Sequence, residues 1–404
     1  MTETLPSEIT LSARGSCPFD PPPEVTEQAK ARPITPIRFP DGHIGQLITN
    51  YTLARAVLAD PRFSARQELR HIPIPNRLAD GEMGPADPGM FIRMDPPQHT
   101  RYRRLLTGQF TVRHMNLLVP RIERITAEHL DAMAEQGPPA DLVKAFALPI
   151  PSLVICELLG VPYSDREVFQ QHTSTMLRLD STSQEVYGAI GKVNEYLDGL
   201  VEAKKASPAE DLLSGLITGG ELNQEELVTI GFLLLVAGHE TTANMLGLGS
   251  FALLSNPAQL AALRADPTLV DGAVEELLRY LSIIQIGIQR TALEDVDLDG
   301  HHFKKGDGVL ISVPAANRDP ERFEHPEQLN ITRPNTGHLA FGHGVHQCLG
   351  QQLARIEMRV GYRALFERFP DLRLAIPADE VPMRSDMAIY GVHRLPVMWE
   401  EVRQ

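Results

Sequence analysis

Polar residues almost vanish between Leu227 and Leu254. Apart from Thr229 and Ser250 they gather in one cluster, AGHETTAN (Ala237–Asn244), with four consecutive polar residues from His239 to Thr242. Asn223 followed by Glu226 reads as a capping box at the start of this stretch. Asn256-Pro257 ends it, because the residue before a proline is pushed out of the helical region. The pattern predicts one helix on the order of 50 Å long, enough to cross a whole domain.

Other stretches give shorter elements. IRFPDGHIGQLIT predicts a hairpin that turns at Asp41-Gly42. Asn50 is placed to cap a short helix, YTLARAVLAD. ICELLGVPYSD predicts a helix that ends at Gly160, with Pro162 as a stop. LGQQLARIEMRVGYRALFERF has helical periodicity through Leu349, Leu353, Ile356 and Val360. Gln289–Val313 predicts a second β-rich patch, with turns at Asp299-Gly300 and Gly306-Asp307-Gly308. Residues up to about Arg32 are proline-rich and predicted irregular, and Ser64–Phe91 reads as a long loop of the kind that carries function. The chain is therefore expected to be mainly α with a small β portion, one domain spanning residues 1–404.

Composition narrows the function. The 404 residues are 43% apolar and carry a net charge of −14, which argues against a general nucleic-acid binder. Cys17, Cys156 and Cys348 are too few and too dispersed for a disulfide framework, which suggests a reducing, cytoplasmic setting. The N-terminus shows no signal-peptide pattern. The longest compact apolar run, FLLLVA (Phe232–Ala237), is far too short to span a membrane.

Four short stretches carry candidate chemistry. In FGHGVHQCLG (Phe341–Gly350), Cys348 precedes a helix start, whose dipole favours a thiolate. The glycines there would let backbone approach a flat ligand. A buried inert cysteine and a zinc site of His343, His346 and Cys348 are the other readings, though that spacing fits no common zinc pattern. AGHETTAN buries polar side chains that must be satisfied or used. Gly238 stands just before Glu240 and Thr241, an acid and a hydroxyl suited to moving protons, unless the cluster is simply a satisfied buried network. In EELLR, Glu276 and Arg279 share a helical face, as solvated helix pairs commonly do. In DPPQHTRYRRLL, His99 and Arg103 share a face, as an anion site or as a solvated basic turn.

Taken in order, these stretches resemble the cytochrome P-450 haem-thiolate superfamily. FGHGVHQCLG matches its F-G-x-G-x-H-x-C-x-G loop at every defined position. AGHETT matches its oxygen-activating helix, and EELLR supplies its E-x-x-R pair. HTRYR and NRDPERF (Asn317–Phe323) are similar to segments of the soluble bacterial members. The resemblance runs from about Arg14 to Trp399.

The resemblance implies a P-450 fold with haem b held between the long central helix and the cysteine-loop helix. Cys348 would be the thiolate ligand of the iron, with Phe341 packed near the sulfur. Gly342 and Gly344 would make the tight turn, and Gly350 would bring the next helix close to the ring. His99, Arg103, Arg290 and His346 would hold the haem propionates, and His343 would have no role. Gly238 would leave room for oxygen beside the helix groove, and Ala237 would lie against the cofactor. Thr241 would hydrogen-bond the bound dioxygen, and Glu240 would relay protons to it. Glu276, Arg279 and Arg333 would lock the haem-loop region together, with Arg333 preferred over Arg322.

The implied reaction is insertion of one oxygen atom of O2 into a hydrophobic small molecule, hydroxylation foremost, in secondary or xenobiotic metabolism. Electrons would come from an iron–sulfur ferredoxin and its NAD(P)H-dependent reductase. Arg101, Arg104, Arg355 and Arg359 would form the docking face. The protein is expected to be a cytoplasmic monomer. The pocket would be lined by Arg70–Phe91, Thr175–Ser183, Leu233, Leu234, Ala237, Ile283–Ile288 (Ile286 and Ile288 among them) and Met387–Tyr390, including Ile389. Arg70, His71, Arg77 and Arg178 would read polar groups or face solvent. A peroxygenase, an oxidative-coupling enzyme and a non-catalytic haem sensor are the alternatives; the Glu240–Thr241 pair favours oxygen activation over them.

Overall fold

The computed structural model describes residues 11, 12, 14–75, 83–334 and 337–403, and the side chains of all of these except Glu167 and Val168. A 31-residue helix, Gln224–Leu254, is its axis. Its start is the predicted capping box. Asn223 accepts from the Glu226 backbone N–H (2.9 Å), and the Glu226 carboxylate accepts from the Asn223 N–H (2.9 Å). The helix is buried on nearly every side, which explains why its sequence lacks an amphipathic stripe. Helices Pro149–Leu159, Ser183–Ala206 and Gln351–Arg368 pack around it.

The β portion sits at one edge. A five-stranded sheet runs in the order Ile34–Arg38, Ile44–Ile48, Gly308–Ile311, Ile288–Ala292, Phe63–Ser64. The central contact, Ile44–Ile48 with Gly308–Ile311, is parallel and joins the two ends of the chain; the other pairings are antiparallel. The predicted hairpin forms, with Gly42 (φ 87°) in its turn, and the predicted turn at Asp299-Gly300 (φ 49° and 78°) joins the paired strands Val296–Leu298 and His301–Phe303.

Asn50 caps its helix by accepting from the Leu53 N–H (2.9 Å). Helix Pro149–Leu159 ends at Gly160 in the left-handed conformation.

The expectation of an irregular N-terminal region needs correction, because Pro23–Ala31 is a helix. Proline is at home in the first helical turn, where its missing N–H has no partner to lose. Val25 anchors this helix by burial with Ile37 and Leu47 of the sheet and with Phe39 just beyond the first strand. Among the described residues, no single helix is long and apolar enough to cross a membrane.

Candidate active site

The central helix opens on one face. Leu233, Leu234, Ala237, Gly238, Thr241 and Met245 line a cavity of about 400 Å³ whose other wall is the cysteine loop and the start of helix Gln351–Arg368. Ala237 is the exposed position of an otherwise buried stretch, and its exposure is to this cavity. Gly238 has a packing reason as well. A Cβ there would lie 2.7 Å from Ile155 Cδ1, so the missing side chain lets helix Pro149–Leu159 close in.

The cysteine loop is closed by its backbone. The Cys348 N–H donates to the Phe341 carbonyl (2.9 Å) and Gly342 N–H to Leu339 (2.8 Å). Gly342 and Gly344 have φ of 68° and 73°, as the tight turn requires. Cys348 is exposed, and that exposure is to the cavity, since its thiol lies deep among protein atoms. Burial pushes the thiol pKa up. The backbone N–H groups of Gly350 and Gln351 and the charges of Arg103 and Arg355 pull the other way. Those donors sit where a metal-bound thiolate would need them. A Cβ at Gly350 would meet nothing within 4 Å, so the chain leaves space on the cavity side.

Cations and imidazoles gather at one edge of the cavity. His99 and His346 rings lie 4.3 Å apart. Both ring nitrogens of His99 and Nδ1 of His346 are buried without a partner among the described residues. Arg103 and Arg290 line the same edge. Burial, reinforced by Arg290, His99, Arg103 and Arg93, pushes His346 down to about 3. Orphaned donors among like charges mark a place for an anion. The two carboxylates of a haem would satisfy that need, and Cys348 would supply a thiolate to its iron. The residues present therefore fit haem. The zinc alternative fails. Among the described residues no group of three or more His, Cys, Asp or Glu side chains is placed to hold a metal ion, and His343 turns to Arg55 (3.2 Å).

The E-x-x-R pair is buried rather than solvated. Arg279 makes a two-pronged bond to Glu276 (2.7 and 2.8 Å), and Arg333 Nε reaches both Glu276 oxygens (3.2 and 3.1 Å). Both arginines also donate to the Gln328 carbonyl. The structure thus brings Arg333 to the pair; Arg322 lies instead over the Tyr51 ring, 5.2 Å from its centroid.

Other expectations are redistributed. Glu240 lines a second, smaller cavity of about 150 Å³, and Thr241 the large one. Adjacent helical residues point about 100° apart, so neighbours in sequence serve different spaces. Ile283, Ile284 and Ile288 line the large cavity. Ile286 does not, and Ile389 reaches it only by pairing with Ile284. Segment Thr175–Ser183 is likewise outside the lining.

The expected docking face is partly neutralised. Arg355 is bound by Glu275 (2.6 and 3.0 Å), Arg359 by Asp271 (2.9 Å), and Arg101 by Glu226. Only Arg104, 74% exposed at its side chain, has a distant acidic neighbour, Glu221 at 3.8 Å. Arg178 pairs with Asp180 (2.6 Å), His71 with Asp41 (2.7 Å), and Arg70 with Gln289 (2.7 Å). Arg77 lies outside the described residues.

Sequence reasoning missed Arg93, Ile155, Glu357 and Arg384. Glu357 lines the cavity, is fully buried, and has Oε2 unpartnered. Burial alone holds its carboxyl well above the usual carboxylate range. A signal existed, since a glutamate four residues after Leu353 falls on the apolar stripe of its helix.

Comparison with known proteins agrees with this geometry. The family model Cytochrome P450 matches residues 45–397. Cytochrome P450 105C1 of a Streptomyces species is 51% identical over 400 residues, covering 99% of this chain and 100% of that protein. Vitamin D3 dihydroxylase of Streptomyces griseolus is 41% identical over 409 residues, covering 99% and 100%. A crystal structure of CYP105P1 in complex with filipin I superposes with a TM-score of 0.91 at 44% identity, covering 99% of both chains.

Proposed function

The chain belongs to the cytochrome P450 family and is a haem-thiolate monooxygenase, and from that premise we propose that it hydroxylates a hydrophobic small molecule of secondary or xenobiotic metabolism. The overall reaction is R–H + O2 + 2 electrons + 2 H+ → R–OH + H2O. The carrying observation is that Cys348, Thr241 and His346 line one cavity with mainly apolar walls, and that the orphaned His99 ring lies 4.3 Å from His346. Electrons come from a ferredoxin and its NAD(P)H-dependent reductase, in the cytoplasm, to a monomer.

When bound, haem with its thiolate ligand supplies the dioxygen-cleaving chemistry. The rest is the work of this chain. Cys348 would hold the iron, and the Gly350 and Gln351 N–H groups would temper the charge on sulfur. His99, Arg103, Arg290 and His346 would bind the propionates. Leu233, Leu234 and Ile284 receive the apolar substrate and exclude water. Thr241 donates its hydroxyl proton to the Ala237 carbonyl (2.8 Å), which leaves its oxygen lone pairs free to accept a proton-bearing donor. Glu240 stands behind it as the acid, so protons reach Thr241 through water or by rotation of Glu240.

The test is spectroscopic. The reduced holoprotein with carbon monoxide is expected to show the strongly red-shifted thiolate band, and Cys348→Ser is expected to abolish it. A colourless protein that binds zinc would falsify the reading.

A further inference from the structure

Four guanidinium groups converge on one edge of this site. Arg93, Arg103 and Arg290 line the cavity, and Arg70 lies close enough to be repelled by Arg93 and Arg290. Guanidiniums stay charged in proteins. Asp95 is the carboxylate that attracts Arg290, but its oxygens already accept from Ser64 Oγ (2.6 Å) and the Ala65 N–H (2.8 Å), and Arg66 lies 3.9 Å away.

Three of the four have hydrogen bonds. Arg103 donates to the Gln347 carbonyl (2.6 Å), Arg290 to the Gln289 carbonyl (2.7 Å), and Arg70 to the Gln289 side chain (2.7 Å). The Arg93 side chain has no hydrogen bond or ion pair among the described residues. It is half-buried, has protein atoms packed around it, and lines the cavity. A cation packed among protein atoms without a partner is unfavourable, so the site is built for an anion that the protein does not provide. Haem brings two carboxylates, which Arg103 and Arg290 match. Two guanidiniums are left, Arg70, which is held by the neutral Gln289 side chain, and Arg93, which has no partner among the described residues.

We propose that Arg93 anchors a carboxylate of the substrate, so that this enzyme acts on hydrophobic acids. The inference rests on the haem-pocket reading above. Arg93 ends the short helical turn Phe91–Arg93, and Phe91 and Ile92 line the cavity beside it. A planar guanidinium on such a turn holds a carboxylate by two parallel bonds. The acid group then sits at the propionate edge, and the apolar remainder extends toward Leu233, Leu234 and Thr241.

Spectral titration of the holoprotein tests this, following loss of the iron-bound water. The probes are dodecanoic acid, abietic acid and the methyl ester of each. The wild type is expected to bind the acids about tenfold or more tighter than the esters, which is about 1.4 kcal/mol. Arg93→Gln is expected to remove the preference and leave ester binding unchanged; Arg93→Lys should restore part of it. Acids that bind no tighter than esters, or a preference that survives Arg93→Gln, overturn the proposal. If Arg93 instead holds a haem carboxylate, Arg93→Gln speeds haem transfer to apomyoglobin without changing the acid-to-ester ratio, which also overturns it. The carbon monoxide band separates the two readings: its presence in wild type keeps the haem-thiolate assignment whatever the titrations give, and its absence removes that assignment first.

Discussion

Glu240 Oε2 lies 3.2 Å from Arg384 Nη2, so the acid beside Thr241 is held in an ion pair with the C-terminal loop. Asn244 Nδ2 donates to the same carboxylate oxygen (3.2 Å). The loop itself is braced against the pocket, since the Tyr390 N–H donates to the Ile283 carbonyl (2.9 Å) and the Ala388 N–H to the Leu177 carbonyl (2.7 Å). If Glu240 carries protons, it does so from this pair. Glu240→Gln and Thr241→Ala are both expected to divert reducing equivalents from product to peroxide. Arg384→Gln is expected to shift the pH profile of turnover while leaving substrate binding within about twofold, a change of about 0.4 kcal/mol. Product per NAD(P)H consumed, measured from pH 6 to 8.5, checks this; full coupling in Glu240→Gln would remove Glu240 from the relay.

Glu357 gives stability an unusual pH dependence. Its folded pKa is raised above the unfolded value by burial. Its contribution is therefore complete below about pH 4.3, the ordinary glutamate value, and is lost as pH rises toward the folded pKa, at about 1.4 kcal/mol per pH unit. Glu357→Gln removes this term. Thermal midpoints at pH 5 and pH 8 should show the variant gaining on the wild type at the higher pH. A constant difference between the two proteins would contradict the assignment.

Removing the centre of the Glu276 network should be far costlier than removing its lookalike. Glu276 and Arg279 side chains are each 2% exposed, and Glu276→Ala strands two arginines. The expected loss is about 3–5 kcal/mol, seen as lowered denaturant midpoint and reduced haem content. Arg322→Ala leaves this network intact and is expected to cost less, its contacts with the Tyr51 and Phe323 rings being worth about 1 kcal/mol or less each. Equal losses for the two variants would show that Glu276 is not the organising group.

Gly238→Ala would force the new methyl group against Ile155, at about 1–3 kcal/mol. Because Ile155 also lines the cavity, its displacement should weaken binding of bulky substrates. The double variant Gly238→Ala/Ile155→Ala, which removes both the Cδ1 and Cγ1 contacts, is expected to lose less than the sum of its two single variants. Chemical denaturation and spectral titration of the three variants measure the losses, and an additive second loss in the double variant would speak against the contact.

Much of this protein could be read from local sequence. The cysteine loop, the capping box at Asn223, the turns at Gly42 and Gly300, and the Glu276–Arg279 spacing each depend on residues a few positions apart. Backbone geometry fixes their outcome wherever the segment sits. The proposed reassignment of His346, from possible metal ligand to carboxylate partner, is what the resemblance of a ten-residue loop to the family's pattern implies.

Tertiary structure decided whatever depends on which distant segment arrives opposite. Glu240 and Thr241 are neighbours in the chain, yet the helical turn and the arrival of Arg384 from the C-terminal loop place them against different cavities. Arg355 looked free for docking until Glu275 on another helix bound it. Arg93 became notable only because Arg70 and Arg290 fold in beside it and leave it without a partner. Charge and hydrogen-bond demand are sums over all neighbours in space, and a sequence names only the neighbours along the chain.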